Sequence, residues 1–156
     1  MHIASLLSPA RVVCCQQTTS KKRALEQLSE LLSQDAPNLT TEEIFDSLIA
    51  RERLGSTGLG QGVAIPHGRM SGLQEPLGAC IRLTDAIDFE ALDNKPVDIL
   101  FALMVPAEST SEHLQLLAQL ARMFSDAGFT QRLRETGNSK DLLQLLQHWE
   151  ADRTNA

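Results

Sequence analysis

Cysteine and aromatic residues are scarce in this sequence, and tyrosine is absent. The three cysteines, Cys14, Cys15 and Cys80, are an odd number with two of them adjacent, and no C-x-x-C spacing occurs. This usage argues against a disulfide-stabilised secreted domain and a cysteine-ligated metal site, and it predicts a reducing, cytoplasmic environment. Because adjacent cysteines seldom have disulfide geometry, we expect Cys14 and Cys15 to be small core residues.

Long apolar runs and an excess of basic residues are lacking as well. The longest apolar run, residues 99–105, falls far short of the roughly 20 residues of a membrane-spanning helix. The first residues have no basic leader and make a poor signal peptide. Lys and Arg total 14 against 20 Asp and Glu, and the net charge of −6 opposes attraction to phosphate backbones. We therefore expect no membrane insertion and no nucleic-acid partner.

The composition is that of an ordinary globular protein. The chain of 156 residues is 42% hydrophobic and 22% charged, which suits a single domain. We place this domain at residues 1–156, with a disordered tail at 151–156. Strands are predicted at 11–15, 63–65, 77–83 and 97–105, the last of them apolar enough to be central and buried on both faces.

Four helices alternate with these strands. Capping boxes begin two of them, because Thr40 precedes Glu43 and Ser109 precedes Glu112 at the required spacing. A first helix begins near residue 20, and the last covers 139–149. Interspersed helices and strands predict a layered α/β domain in which helices cover a mixed sheet.

Glycine is concentrated in one stretch. Four glycines lie within residues 55–62, which lead into the strand at 63–65 and the stop at Pro66. Their spacing never gives G-x-G-x-x-G or a P-loop, and the chain contains neither G-x-S-x-G nor H-E-x-x-H. The usual nucleotide-binding, serine-hydrolase and zinc-protease motifs are therefore missing.

A histidine follows this stretch directly. His67 lies at the end of a strand and precedes Gly68, whose backbone can approach a ligand closely. A neutral imidazole can attack as a nucleophile or coordinate a metal, so both roles stay open. Arg51, near the end of the second helix, could reach back with a guanidinium fork that matches phosphate oxygens. His113, at a helix N-terminus, could donate a hydrogen bond to a phosphoryl oxygen.

The glycine-rich loop supplies further donors for an anion. Consecutive N–H groups around Gly58 can point at one phosphate, and the hydroxyls of Ser56 and Thr57 can add to them. Histidine, arginine, hydroxyl and amide donors together fit phosphoryl transfer, which needs positioned groups and charge neutralisation. This scheme requires neither a metal nor a cofactor.

Simpler interpretations compete with this one. Glycine-rich runs are often plain turns, His67 could be a surface loop residue, and His113 could face solvent. The positive charge of Arg51 could simply interact with the helix dipole at the C-terminal end of its helix. A metal-dependent hydrolase using His67, His113 and Glu112, or a binding module without chemistry, also stays open on these residues alone.

The run GSTGLGQGVAIPHGR, preceded by RERL and followed by DNKPVDILFALMVPAESTSEHLQLLAQLA, resembles the enzyme IIA domain of the mannitol/fructose class of the phosphoenolpyruvate-dependent phosphotransferase system, in its nitrogen-regulatory branch. The resemblance implies a mixed sheet flanked by helices on both faces. It implies that His67 is phosphorylated, with Arg51 and His113 lining the site. It also implies a donor, the phosphohistidine of a small HPr-like carrier protein.

The chain has neither a membrane span nor room for a second domain, so a regulatory role is favoured over sugar uptake. Members of the regulatory branch bind target proteins, such as potassium transporters or sensor kinases, differently in phosphorylated and unmodified forms. The resemblance leaves two alternatives open. One is a sugar-specific enzyme IIA that passes phosphate to an enzyme IIB, and the other is a non-catalytic binding module.

Overall fold

A six-stranded mixed sheet lies between two layers of helices in the computed structural model, which describes residues 2–154. Two short 3-10 turns, Ile3–Leu6 and Pro9–Arg11, precede the first strand. The strands are β1 (Val12–Gln16), β2 (Gly58–Gly60), β3 (Val63–Ala64), β4 (His67–Met70), β5 (Leu77–Ile87) and β6 (Val97–Pro106). The helices are α1 (Lys21–Ser33), α2 (Thr41–Arg53), α3 (Thr110–Ser125), α4 (Ala127–Arg134) and α5 (Ser139–Thr154).

Strand β6 is central, as its apolar sequence predicts. The order across the sheet is β1-β5-β6-β3-β2, and β4 also pairs with β6. β5 is antiparallel to β6, whereas β3 and β4 are parallel to it. β3 and β4 lie one after the other along the same edge of β6, and Pro66 marks the break between them. There the Pro66 carbonyl accepts a hydrogen bond from the Leu103 N–H at 2.9 Å.

The two faces of the sheet bury separate apolar cores. Alternate residues of β6 enter different cores, because successive side chains in a strand point to opposite faces. Leu103 packs in the core under α3, α4 and α5, and Met104 packs in the core under α1 and α2. Helices therefore cover both faces, which confirms the predicted fold class.

Several boundaries differ from the sequence-based expectations. Helix α4 was not expected, because Gly128 and four polar residues obscure its apolar spacing. Ser109 precedes α3 as predicted, but its side chain makes no capping hydrogen bond. The backbone of α5 continues to Thr154, where we expected a disordered tail from residue 151, since no Pro or Gly ends the helix after Trp149. Residues 155–156 of that tail lie outside the described part of the chain.

Within residues 2–154, no helix is both long and apolar enough to cross a membrane.

The adjacent cysteines also differ from expectation. Cys14 is buried as predicted, but Cys15 is exposed and a disulfide joins the two sulfurs. A regular strand would send adjacent side chains to opposite faces. β1 is irregular between Val13 and Gln16, and Cys15 has a φ of 65°. This bulge removes the alternation on which our expectation rested.

Candidate functional site

An open cleft of about 560 Å³ lies beside the start of β4, between the C-terminal turn of α2 and the first turn of α3. It contains four of the residues singled out in the sequence. We call it the histidine cleft and define it by its lining residues: Ser47, Ala50, Arg51, Leu54, His67, Gly68, Arg69, Ala107 and His113.

The ring of His67 is held by the backbone. Its Nδ1 lies 2.8 Å from the carbonyl oxygen of Ile65. A carbonyl oxygen can only accept a hydrogen bond, so Nδ1 carries the proton and donates it. In the neutral ring the lone pair is therefore on Nε2. The fold thus selects the tautomer in which Nε2 is the nucleophilic atom.

The surroundings of His67 favour its neutral form. Partial burial lowers the pKa of the imidazole below its ordinary value of 6.5, and the positive charge of Arg51 lowers it further. The hydrogen bond to Ile65 and the charge of Glu52 raise this pKa, but they do not outweigh the burial. At neutral pH the ring is consequently available as a nucleophile.

The lowered pKa of His67 predicts a dependence of stability on pH. Between this pKa and 6.5 the unfolded chain binds a proton that the folded protein does not. Stability from this group is therefore complete above 6.5 and declines as the pH falls toward the folded pKa. An NMR titration of the ring should give a pKa below 6.5, and Arg51→Ala should raise it. A pKa above 6.5 in the unmodified protein would contradict the assignment.

His113 lies beside His67. The ring centroids are 5.4 Å apart and the ring planes are inclined by 55°. Burial lowers the pKa of His113, and the charges of His67 and Arg69 lower it further. Within the described residues its buried Nδ1 has no hydrogen-bond partner. The structure therefore brings two imidazoles into one site, one of them with an unused polar atom.

Arg51 lies at the C-terminal end of α2 and also lines the cleft, so it fits both interpretations that the sequence left open. Its Nη1 donates a hydrogen bond at 2.9 Å to the carbonyl oxygen of Gly55, which lies just beyond the C-terminal end of α2. The same residue lines the histidine cleft. A guanidinium has five N–H donors, so this hydrogen bond leaves others for an anion in the cleft.

Glu52 is a buried carboxylate that sequence reasoning missed. It is 6% exposed. Its Oε2 lies 3.0 Å from Nζ of Lys21, and its Oε1 accepts the amide N–H of Thr57 at 3.2 Å and the Thr57 hydroxyl. The signal was present in the helical spacing, because Glu52 continues the buried stripe of Ile44 and Leu48 at intervals of four residues. This contact anchors the start of the glycine-rich loop to α1 and α2.

The other predicted phosphate ligands occupy different positions. Thr57 is engaged by Glu52, and the Ser56 hydroxyl accepts the Gly58 N–H at 3.1 Å. Neither these two residues nor Gly58 is among those lining the cleft. Their role in binding phosphate stays a prediction.

Gly68 lines the cleft, and a side chain at this position would meet α2. A Cβ at this position would lie 2.6 Å from the Ser47 hydroxyl oxygen, closer than such contacts allow. The glycine therefore permits α2 to pack closely against β4. This packing helps to place Arg51 and His67 in the same cleft.

A metal-dependent hydrolase would need a cluster of metal ligands at this cleft. Across residues 2–154, no group of three or more His, Cys, Asp and Glu side chains is arranged to hold a metal ion. The hydrolase hypothesis, with Glu112 beside the two histidines, therefore has no ligand set among the described residues.

Residues 5–149 match the family described as "Phosphoenolpyruvate-dependent sugar phosphotransferase system, EIIA 2". The chain is 44% identical over 146 residues to the nitrogen regulatory protein of Pseudomonas aeruginosa, across 94% of this chain and 95% of that protein. It is 40% identical to the solved structure of nitrogen regulatory protein IIA-Ntr from Neisseria meningitidis, with a TM-score of 0.88 across 92% of this chain and 98% of that one.

IIA mannitol from Escherichia coli shares the fold, with a TM-score of 0.74 at 20% identity across 90% of this chain and 98% of that one. The family match covers nearly the whole described chain, and the Pseudomonas aeruginosa and Neisseria meningitidis relatives, both at 40% identity or more, are nitrogen regulatory proteins. The chain therefore belongs to the EIIA 2 family of the phosphoenolpyruvate-dependent phosphotransferase system and is of the nitrogen regulatory type.

Proposed function

We propose that the protein accepts a phosphoryl group on Nε2 of His67 from the phosphohistidine of an HPr-like carrier protein. The observation that carries this proposal is the hydrogen bond from Nδ1 to the Ile65 carbonyl oxygen at 2.8 Å, which directs the lone pair to Nε2. In the transfer, the Nε2 lone pair forms a bond to phosphorus while the phosphorus–nitrogen bond of the donor breaks. The electron pair of that bond returns to the donor ring, whose other nitrogen carries a proton, so the donor leaves as a neutral imidazole and His67 keeps the proton on Nδ1.

The neighbouring groups fit the electrostatics of this step. The transition state of phosphoryl transfer is loose, and its charge is spread over three oxygens, so the protein must position groups and neutralise charge. Arg51 supplies a fixed positive charge, and His113 supplies a second imidazole from the first turn of α3. We assign both to stabilising the phosphoryl group in transit. The reaction as written needs no metal or other cofactor.

A direct test locates the phosphoryl group on the ring. The protein is incubated with phosphoenolpyruvate, an enzyme I-type kinase and the carrier, and the product is analysed by 1H–15N NMR of the histidine rings. We expect an acid-labile, base-stable modification on Nε2 of His67, with the proton on Nδ1 retained. Modification on Nδ1, or on another residue, would overturn the proposal.

The shape of the cleft supports a protein as the donor. The cleft is open, and Leu54 in its lining is 84% exposed. Leu114, which follows His113 on α3, is 63% exposed. Exposed apolar side chains beside a polar site are typical of protein docking surfaces. The surroundings of His67 therefore suit a folded carrier better than a small molecule.

A charge placed at this surface should weaken docking. For Leu54→Asp we expect KM for the phosphorylated carrier to rise about tenfold, which corresponds to about 1.4 kcal/mol, with little change in the maximal rate. Steady-state labelling at varied carrier concentration measures both quantities. Leu92→Asp is the matched control, because Leu92 is 86% exposed but distant from the cleft. Leu92 lies in the connection before the N-terminal end of β6, whereas β4 pairs with the C-terminal end of β6. Equal KM values for the two variants would contradict the docking role of Leu54.

The phosphorylated and unmodified forms should bind target proteins differently. Phosphorylation adds negative charge and acceptor oxygens beside a cleft in a chain of net charge −6. A partner that docks on this surface would meet new repulsion, or new acceptor oxygens, in one form only. We propose a cytoplasmic regulator whose targets include potassium transporters or sensor kinases. Pull-downs with the two forms, identified by mass spectrometry, test this, and identical partner sets would contradict it.

A further inference from the structure

The cysteine pair lies on an edge strand, away from the histidine cleft. Cys14 and Cys15 belong to the bulged part of β1, which pairs only with β5 in the sheet. Cys15 is exposed and has a φ of 65°, whereas Cys14 is 7% exposed. One sulfur is therefore accessible to solvent, and a second, shielded sulfur is bonded to it.

A positive charge contacts both sulfurs. Nη2 of Arg82 lies 3.2 Å from each Sγ, and it donates a hydrogen bond to the Thr136 carbonyl oxygen at 2.6 Å. Among the described residues, Arg82 forms no ion pair with a carboxylate. Its charge is thus not neutralised locally and acts on the sulfurs. A neighbouring guanidinium favours the thiolate, which is the reactive form of cysteine.

The N-terminal end of α5 also contacts this pair. The backbone N–H of Cys14 donates to Oγ of Ser139, the first residue of α5, at 2.9 Å. This contact joins the backbone of the pair to the start of α5, and the charge of Arg82 favours the thiolate when the bond between the sulfurs is reduced.

Cys80 provides an internal contrast. It is completely buried in the sheet and has no disulfide partner. Burial raises the pKa of its thiol to about 12. Cys80 is therefore unreactive at neutral pH, and thiol–disulfide chemistry in this chain belongs to the adjacent pair alone.

The pair is also separate from the phosphoryl-transfer site. β5 and β6 lie between β1 and β4, so the two sites are more than about 14 Å apart at the usual spacing of strands. The two sites also lie at different positions along the strands. Val13 pairs with Ile81 of β5, whereas His67 pairs with Leu103 of β6, which in turn pairs with Gly78 of β5. Chemistry at the cysteines can therefore be tested independently of His67.

We propose that Cys14 and Cys15 form a site of reversible oxidation by a small-molecule disulfide of the glutathione class. The Cys15 thiolate attacks one sulfur of that molecule, forms a mixed disulfide and releases one small thiolate. The Cys14 thiolate then attacks the Cys15 sulfur, closes the protein disulfide and releases the second small thiolate. The pair loses two electrons and two protons, and the small disulfide is reduced to two thiols. In a reducing cytoplasm such a bond is transient and redox-sensing.

The test is a titration of the full-length protein in buffers of defined reduced and oxidised glutathione. Free thiols are trapped with iodoacetamide, and intact mass is measured. We expect a transition from a species in which both cysteines of the pair are alkylated to one in which neither is. Cys80→Ser should retain this transition, and Cys15→Ser should lose it. Alkylation of both cysteines at every ratio, or accumulation of the mixed disulfide alone, would overturn the proposal.

The role of Arg82 is tested by rate. Loss of its charge should raise the thiol pKa, and one pKa unit lowers the thiolate fraction tenfold, so Arg82→Leu should slow oxidation by about tenfold. Arg82→Lys should recover much of the rate, which a purely structural role would not predict. An unchanged rate in Arg82→Leu would overturn this part. If Arg82→Leu fails to fold, the titration of the unsubstituted protein still decides the site. His67→Ala should oxidise at the normal rate, so this test does not depend on the proposed phosphoryl transfer.

Discussion

Replacement of His67 by alanine should abolish phosphorylation by phosphoenolpyruvate and its carrier proteins. The variant lacks the nucleophilic Nε2 that the Ile65 carbonyl oxygen directs away from the backbone. The neighbouring His113 does not replace it, because its ring has its own position 5.4 Å away. Loss of a nucleophile removes catalysis by several orders of magnitude, so we expect labelling to fall by more than about 10³-fold. Intact mass after incubation with the donor chain measures the loss.

Two histidine variants serve as controls for this experiment. His148→Ala removes an exposed imidazole on α5 and should be labelled normally. His113→Ala should be labelled more slowly but completely, since it removes a hydrogen-bonding group and leaves the nucleophile. The assignment fails if His67→Ala is labelled like the unsubstituted protein. A His113→Ala variant as inactive as His67→Ala would instead give His113 an essential role.

Replacement of Arg51 by alanine should slow transfer by about 100-fold, or about 2.7 kcal/mol of transition-state stabilisation. The guanidinium is the positive charge that α2 brings to the histidine cleft, and it already lowers the pKa of His67. The fold should persist, because the main structural loss is the 2.9 Å hydrogen bond to the Gly55 carbonyl oxygen. Such a bond contributes about 1 kcal/mol or less when it is solvent-exposed. Single-turnover rates and denaturant unfolding separate the two effects.

Arg53→Ala is the matched control for this substitution. Arg53 ends the same helix and carries the same charge, but it is exposed and does not line the cleft. It should transfer phosphate normally. Arg51→Lys should be intermediate, because lysine keeps the charge but loses the planar fork of donors. Equal rates for Arg51→Ala and Arg53→Ala would mean that Arg51 has no part in the transfer.

The sequence predicted those elements of the fold that are determined by neighbouring residues in the chain. The continuous apolar run of β6 marked the centre of the sheet, and the capping box of Thr40 and Glu43 is present at the start of α2. Strand β4 was missed because Pro66 looked like the end of a strand, whereas the chain pairs with β6 again immediately after it. Hydrogen bonds to a distant strand override local propensity at such positions.

The candidate site also combines residues that the sequence predicted with a contact that it could not predict. His67, Arg51 and His113 were expected together and share one cleft. The contact of Lys21 with Glu52 could not be predicted, because the two residues are distant in sequence and meet only when α1 packs against α2. A charged residue inside an apolar stripe was the available signal, but its partner depends on the tertiary arrangement.

The short segment that joins β3 to β4 through Pro66 limits how this chain can vary in length. Side chains alternate between the two faces of a sheet, so the parity of the segment from Val63 to His67 decides which helical layer the imidazole joins. Removal or addition of one residue there would shift the ring to the opposite layer or break its pairing with β6. Insertions in residues 92–96, the exposed part of the connection between β5 and β6, meet no such rule. Natural length variation should therefore accumulate in that connection and be excluded from the short segment before the histidine.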